Sequence, residues 1–190
     1  MGRLILVRHG ESEGNRDRRF TSHPHVPLTA LGRTQAKRVA EWIGAAARPR
    51  EVVSSPFRRA EETAEIIAVH LGLSLSLDDD LRERSFGALA GEPYDAVPRD
   101  LDPETYWRWA PPGGESLVEV AARAGRTLDR LARGAPEEEL VVVSHGGVMQ
   151  ALWFHVTGAW QTVRVAPNAG VVLVAHRAGR YLEARIVDGD

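Results

Sequence analysis

Two histidines close similar patterns near opposite ends of the chain. His9 follows Leu4-Ile5-Leu6-Val7-Arg8 and precedes Gly10-Glu11, while His145 follows Leu140-Val141-Val142-Val143-Ser144 and precedes Gly146-Gly147. Four consecutive aliphatic residues read as a strand buried on both faces, and ligands in open α/β folds collect outside the carboxyl ends of such strands. Each histidine therefore stands at a strand tip, and the pair suggests one shared site. Arg8 comes with the first tip. Arg58 follows a second short strand, Glu51 to Ser54, behind Ser55-Pro56. A guanidinium is a planar fork of donors suited to phosphate oxygens, and two arginines with two imidazoles balance a phosphoryl group of roughly two negative charges. A histidine in line with phosphorus can attack it, forming a phosphohistidine and dividing one displacement into two easier ones. That chemistry needs no metal and points to a small-molecule phosphomonoester as substrate.

The elements that must position these groups alternate along the chain. After the first strand, Ser12 to Val26 is polar and arginine-rich and reads as a loop. Thr29 caps a helix carrying Ala36, Val39, Ala40 and Ile43 at helical spacing. Ser55 is read as the cap of a helix with Pro56 at its first position, which puts Arg58 in the first turn and Gly72 at the end. Helix N-termini after Pro56 and Gly147 aim backbone N–H groups toward the same edge. Leu73 to Leu77 alternates as a third strand. A short helix is expected from Asp102-Pro103 through Trp109, within a lid-like insertion over about 84–115. Ser116 with Glu119 makes a capping box for a long amphipathic helix to Gly134. A strand at Leu140 to Val143, a helix from about Val148 to Val156 and a hairpin of Val171 to Ala175 with Tyr181 to Val187 around Ala178-Gly179 complete the order. This succession predicts one domain over 1–190 of α/β class, a three-layer α/β/α sandwich with a mostly parallel central sheet and a C-terminal β-hairpin.

Composition narrows the function further. With 190 residues and 43% hydrophobic content the chain can bury a full core. A net charge of −2 argues against a basic nucleic-acid-binding surface, so any anion site must be local. There are no cysteines, which removes disulfides, thiolate metal sites and cysteine nucleophiles. Leu4 to Val7 is too short for a signal peptide or membrane span, so a cytoplasmic protein with no membrane partner is expected. Oligomeric state is left open, a homodimer included.

Arg8-His9-Gly10-Glu11, Ser54-Ser55-Pro56 with Arg58-Arg59-Ala60 and Thr63-Ala64, and Ser144-His145-Gly146-Gly147 together resemble the histidine phosphatase superfamily, which includes cofactor-dependent phosphoglycerate mutase. The resemblance implies the phosphoglycerate mutase-like fold, a phosphohistidine at His9, a catalytic partner in His145, and phosphate contacts from Arg8, Asn15, Arg58 and Gly146. It also implies a proton donor in a leucine-x-glutamate stretch before an aromatic-glycine pair, which Leu81-Arg82-Glu83 before Phe86-Gly87 fits. Glu83 would protonate the leaving alkoxide and then, as carboxylate, deprotonate the attacking water. That role calls for a raised pKa, against the pull of Arg8, Arg58 and the histidines.

What accepts the phosphoryl group separates the branches. Arg19-Phe20-Thr21 and Gly87-Ala88-Leu89 with Gly91 are similar to the mutases, which implies substrate contacts at Thr21 and its neighbour Ser22. Yet Ser22 and His23 replace a glycine and a tryptophan, Phe86 replaces a tyrosine, and Tyr94 stands at a lysine position. The span from Glu83 to His145 lacks the paired arginines of the mutases, and Pro111-Pro112-Gly113-Gly114-Glu115-Ser116 looks like the phosphatase branch. A phosphomonoester hydrolase with no cofactor is the favoured reading. A mutase using 2,3-bisphosphoglycerate is the alternative. A binding module that has lost catalysis is the third, disfavoured because Arg8, His9, Arg58, Glu83 and His145 are all present. His23 and His25 with His9, His145 and Glu83 form a competing zinc set, less favoured than the metal-free site. His70, His155 and His176 read as surface residues.

Overall fold

The computed structural model describes residues 1–163, 166–177 and 179–187. Among these the chain runs through β1 (Gly2–Arg8), a one-turn α1 (Glu13–Arg16), α2 (Ala30–Ala46), β2 (Glu51–Ser54), α3 (Arg58–Leu71) and β3 (Ser74–Leu77). Four 3-10 turns between Asp79 and Arg108 follow. Then come α4 (Leu117–Gly134), β4 (Glu139–Ser144), α5 (Gly146–Thr157), β5 (Val171–Arg177) and β6 (Arg180–Val187).

Six strands form one sheet in the order β3-β2-β4-β1-β5-β6. The first four are mutually parallel, whereas β5 runs antiparallel to β1 and β6 antiparallel to β5. Every aliphatic residue of β1 from Leu4 to Val7 is buried, and the two faces divide them by the period of two. Leu4 and Leu6 enter one core with Val120, Leu128, Val148 and Leu152 of α4 and α5. Ile5 and Val7 enter the other with Ile43 of α2 and Ala64 and Ile67 of α3. Helices on both faces are what a strand without a polar side requires.

Local signals behave as their chemistry dictates. The Ser116 hydroxyl accepts the Glu119 N–H at 3.2 Å while the Glu119 carboxylate accepts the Ser116 N–H at 2.7 Å, closing the capping box. Gly72 ends α3 in the left-handed conformation at φ 67°.

Four expectations need correction. The polar stretch after β1 is not all loop, because Ser12 and Asn15 cap a helical turn. Helix α3 starts at Arg58 with Phe57 as its cap, since the Ser55 hydroxyl accepts the Phe57 N–H two residues on, as in a turn. The helix expected from Asp102 is only a 3-10 turn, Tyr106–Arg108, whose Trp107 reaches the core and stacks on Trp160. His176 is wholly buried rather than exposed, because β5 lies between β1 and β6 and the ring packs against Gly2. Ala178, half of the expected hairpin turn pair, lies outside the described residues.

Candidate active site

The register of the parallel pair β1–β4 sets Arg8 beside Ser144, so the next residue on each strand, His9 and His145, emerge side by side. Their ring centroids are 5.2 Å apart. The ladder extends one step past the strands, with the His9 N–H donating to Ser144 O at 2.9 Å. On the other side of β4, the Ser55 N–H donates to Val143 O, which brings the Ser55 hydroxyl within 2.7 Å of His145 Nε2.

His9 is held in one tautomer. Its Nδ1 lies 2.6 Å from Gly10 O, an acceptor only, so Nδ1 carries the proton and Nε2 carries the lone pair. Burial, together with the Arg59 and Arg8 guanidinium groups, keeps the imidazole pKa well below its usual value. The ring is therefore neutral and nucleophilic at ordinary pH. Burial and Arg59 do the same to His145.

The arginine that meets His9 is Arg59 and not Arg58. Arg59 Nε donates to His9 Nε2 at 3.2 Å, while its two terminal nitrogens hold the carbonyls of His23 and Thr21 at 3.2 and 2.9 Å. Burial lowers its pKa to about 10, which still leaves it charged. Arg58, one position earlier and so turned about 100° around the helix axis, is exposed and pairs with Glu62 at 2.8 Å. The expected phosphate contact at Arg58 is therefore corrected to Arg59. Helical spacing carried the signal: Arg59, Thr63 and Ile67 share the buried face of α3 with Ala60, Ala64 and Ala68.

Arg8 donates to Ala166 O at 2.6 Å through Nη1. Its Nε and the His145 Nδ1 are buried and unpaired among the described residues; Arg8 lines the cavity, whereas His145 lies just behind it as the cap of α5. A Cβ on Gly146 would make ordinary contact with the Arg8 guanidinium carbon at 3.4 Å, so Arg8 packs directly against the start of α5.

Glu83 reaches the same place from the segment after β3. Its carboxyl group is buried, and burial raises its pKa while Arg59, Arg8 and Arg123 pull the other way. Its Oε1 accepts the Arg84 N–H at 2.8 Å. A Cβ on Gly147 would stand 2.8 Å from that oxygen, so glycine at the start of α5 makes room for the acid.

Asn15 lines the cavity and is fixed from two sides, its Oδ1 accepting from Asn168 at 2.9 Å and its Nδ2 donating to the Tyr94 hydroxyl at 3.1 Å. Thr21 also lines it. Ser22 does not, and the substrate contact expected there is corrected: its hydroxyl accepts the Phe86 N–H at 2.9 Å and so positions the ring next door. Altogether the cavity has a volume of about 410 Å³, and its charged lining is Arg8, Arg19, Arg59 and Arg84 with Glu83. Phe20, Phe86 and Tyr94 form an aromatic rim, with ring centroids 4.7 and 5.0 Å from Phe20. Arg84, Gln150 and the Asn168 contact escaped the sequence reading. Arg84 adjoins Glu83, but nothing local marks Gln150 or Asn168. Among the described residues no three His, Asp or Glu side chains gather as a metal site, so the zinc set of His9, His23, His25, His145 and Glu83 does not assemble.

The chain matches the model of the histidine phosphatase superfamily, branch 1, over residues 4–188. It belongs to the histidine phosphatase superfamily. One superfamily relative, phosphoglycerate mutase-like protein 4 of Arabidopsis thaliana, is 38% identical over 159 residues, covering 79% of this chain and 69% of that protein. The glucosyl-3-phosphoglycerate phosphatase of Mycobacterium tuberculosis H37Rv is 36% identical over 163 residues, covering 79% and 73%. A solved structure titled as mycobacterial glucosyl-3-phosphoglycerate phosphatase Rv2419c with VO3 superposes at a TM-score of 0.87 with 31% identity, covering 99% of this chain and 98% of that one. The metal-independent phosphoserine phosphatase of Arabidopsis thaliana is 32% identical over 188 residues, covering 94% and 78%. Some superfamily relatives are longer: against a mycobacterial bifunctional protein, 38% identical over 149 residues, the chain spans 41% of that protein's length. This histidine phosphatase is a phosphomonoester hydrolase with the phosphoglycerate mutase-like fold.

Proposed function

We propose that the chain hydrolyses a small phosphorylated acid through a phosphohistidine at His9, without a metal or a bound cofactor. The observation that carries this is the neutral His9 ring, tied at Nδ1 so that Nε2, which accepts from Arg59, carries the attacking lone pair. Nε2 bonds to phosphorus as the ester P–O bond breaks, and protonated Glu83 hands its proton to the departing alkoxide. Water then attacks the phosphorus, Glu83 takes back a proton, and the P–N bond breaks to restore the Nε2 lone pair. Arg59 leaves the lone pair and takes phosphoryl oxygens, with Arg8 and His145 as further donors.

A second anionic group on the substrate accords with Arg19 and Arg84, which line the cavity and are held there by the Gly91 carbonyl and by the Glu115 and Trp109 carbonyls. The names of two relatives, glucosyl-3-phosphoglycerate phosphatase and phosphoserine phosphatase, both denote carboxylate-bearing phosphomonoesters. Hydrolysis is favoured over phosphoryl return because Phe86 stands where the mutases have a tyrosine hydroxyl and Tyr94, which accepts from Asn15, where they have a lysine. The reading includes a cytoplasmic setting and no nucleic-acid partner.

The decisive experiment offers ³²P-labelled phosphoserine and 3-phosphoglycerate in the presence of chelator and quenches within a turnover. An acid-labile, alkali-stable phosphoenzyme that vanishes in His9→Ala is expected. Chelator-sensitive turnover, or label retained in His9→Ala, overturns the proposal. Isomerisation of 3-phosphoglycerate with 2,3-bisphosphoglycerate faster than either is hydrolysed makes the chain a mutase.

A further inference from the structure

Arg123, on the inward face of α4, is 5% exposed and spends its whole guanidinium on one stretch of chain. Nη1 donates to the carbonyls of Asp80 and Arg82 at 2.7 and 2.8 Å. Nη2 donates to Glu83 O at 3.2 Å and to a Glu115 carboxylate oxygen at 2.9 Å, and Nε donates to the other Glu115 oxygen at 2.8 Å. All five N–H donors of the side chain are thereby used. Glu115 closes the far side, because its carboxylate accepts the Ser85 N–H at 2.8 Å and its own N–H donates to Ser85 O at 2.9 Å. The backbone from Asp80 to Ser85 has no strand or α-helix to hold it; the buried Leu81, whose carbonyl accepts the Ser144 hydroxyl at 2.7 Å, anchors one point, and the Arg123–Glu115 pair on α4 holds the carbonyls of Asp80, Arg82 and Glu83. Glu83 sits in the middle of that stretch.

We propose that Arg123, braced by Glu115, is the positioning residue for Glu83, setting where its carboxyl group meets the leaving-group oxygen and the attacking water. The inference rests on the acid–base role given to Glu83 above. Five hydrogen bonds to carbonyls and a carboxylate far exceed what α4 needs for its own packing, which its apolar face already supplies through Val120, Ala124 and Leu128. A fork is required as well as a charge, since an ammonium cannot reach three carbonyls and both carboxylate oxygens together.

Arg123→Lys keeps the positive charge opposite Glu115 and loses the fork. Its kcat on 3-phosphoglycerate or phosphoserine, whichever the wild type turns over faster, should fall at least about tenfold with KM within about twofold. First-turnover release of p-nitrophenolate, which leaves without a proton, should fall less than about threefold. In a Glu83→Gln background, Arg123→Lys should lower kcat less than about twofold further, since a residue acting through Glu83 has nothing left to position. The double variant Arg123→Gln with Glu115→Gln removes both charges together, leaves no unpaired carboxylate, and should show the same pattern if the lysine variant does not fold. Additive losses in the Glu83→Gln background, or unchanged kcat with only a lower Tm, overturn the positioning role alone. Unchanged kcat on the alkyl phosphate in Glu83→Gln itself overturns the acid–base reading, and the Arg123 inference with it.

Discussion

Arg59 Nε faces His9 Nε2 across 3.2 Å, with neither residue more than 2% exposed. The cation is thus stored against the atom that must attack phosphorus, and the incoming phosphoryl oxygens replace that atom as its acceptor. Arg59→Ala should lower kcat/KM by about a hundredfold to a thousandfold, the loss expected for one preorganised donor to developing charge. Arg58→Ala, which breaks an exposed pair with Glu62 worth about 0.3–0.5 kcal/mol, should stay within about twofold of wild type. Steady-state kinetics on the two variants decide between the neighbours, and equal losses would remove Arg59 from its assigned role.

Gly147 is in helical backbone at the start of α5, where alanine would ordinarily stabilise by roughly 0.5–1 kcal/mol. A Cβ there meets Glu83 Oε1 at 2.8 Å. Gly147→Ala should therefore hold Tm within a few degrees while lowering kcat on alkyl phosphates by about tenfold or more, because the acid is pushed aside. Thermal melts and kinetics on the same sample test this, and full activity in the variant would show that the carboxyl position is not critical.

His9, His145 and His176 all have folded pKa values depressed by burial below the unfolded value. Above about pH 6.5 both states are neutral and these groups add nothing to the pH dependence. Below it the unfolded chain binds protons that the folded chain refuses, so stability falls by about 1.4 kcal/mol per pH unit for each such group until its folded pKa is reached. Urea unfolding should give a steeply lower free energy at pH 5.5 than at 7.5. His176→Leu, at the opposite end of β1 from the site, should shallow that dependence while leaving kcat unchanged. An unaltered slope in this variant would show that His176 titrates normally in the fold.

Ala169 has φ 56°, in the left-handed region that costs a non-glycine residue about 1–2 kcal/mol. The turn is kept because the Ala169 N–H and the Asn168 side chain both donate to His9 O, at 3.1 and 3.2 Å. Ala169→Gly should relieve the strain, offset in part by the greater freedom of glycine in the unfolded chain, for a net gain of about 0.5 kcal/mol with kcat intact. A destabilised variant in denaturant titration would contradict the strain argument.

Most of the frame was legible in order along the chain. Aliphatic runs, the Thr29 and Ser116 caps and the Gly72 terminator are decided by neighbours in sequence, and they placed β1, β4, α2 and α4 correctly. From strand tips and guanidinium chemistry alone came His9, His145 and the phosphoryl reading. The choice of Arg59 over Arg58 turned on a single residue of helix phase, which a proline after Ser55 misrepresented. Ser22 was assigned to substrate by likeness, yet its hydroxyl is taken by Phe86, a residue 64 positions away.

The sequence by itself marked the two strand-tip histidines, the strands that carry them and the class of reaction, because these depend on side-chain chemistry and on periodicity over a few residues, while Glu83 came from the family resemblance. Only the tertiary structure decided which nitrogen of His9 carries the lone pair, which arginine faces it, that Asn168 ties His9 to Asn15, and that Arg123 holds the Glu83 segment. Those relations join residues dozens of positions apart, and they exist only once the β1–β4 register and the packing of α4 have brought the partners within hydrogen-bond reach.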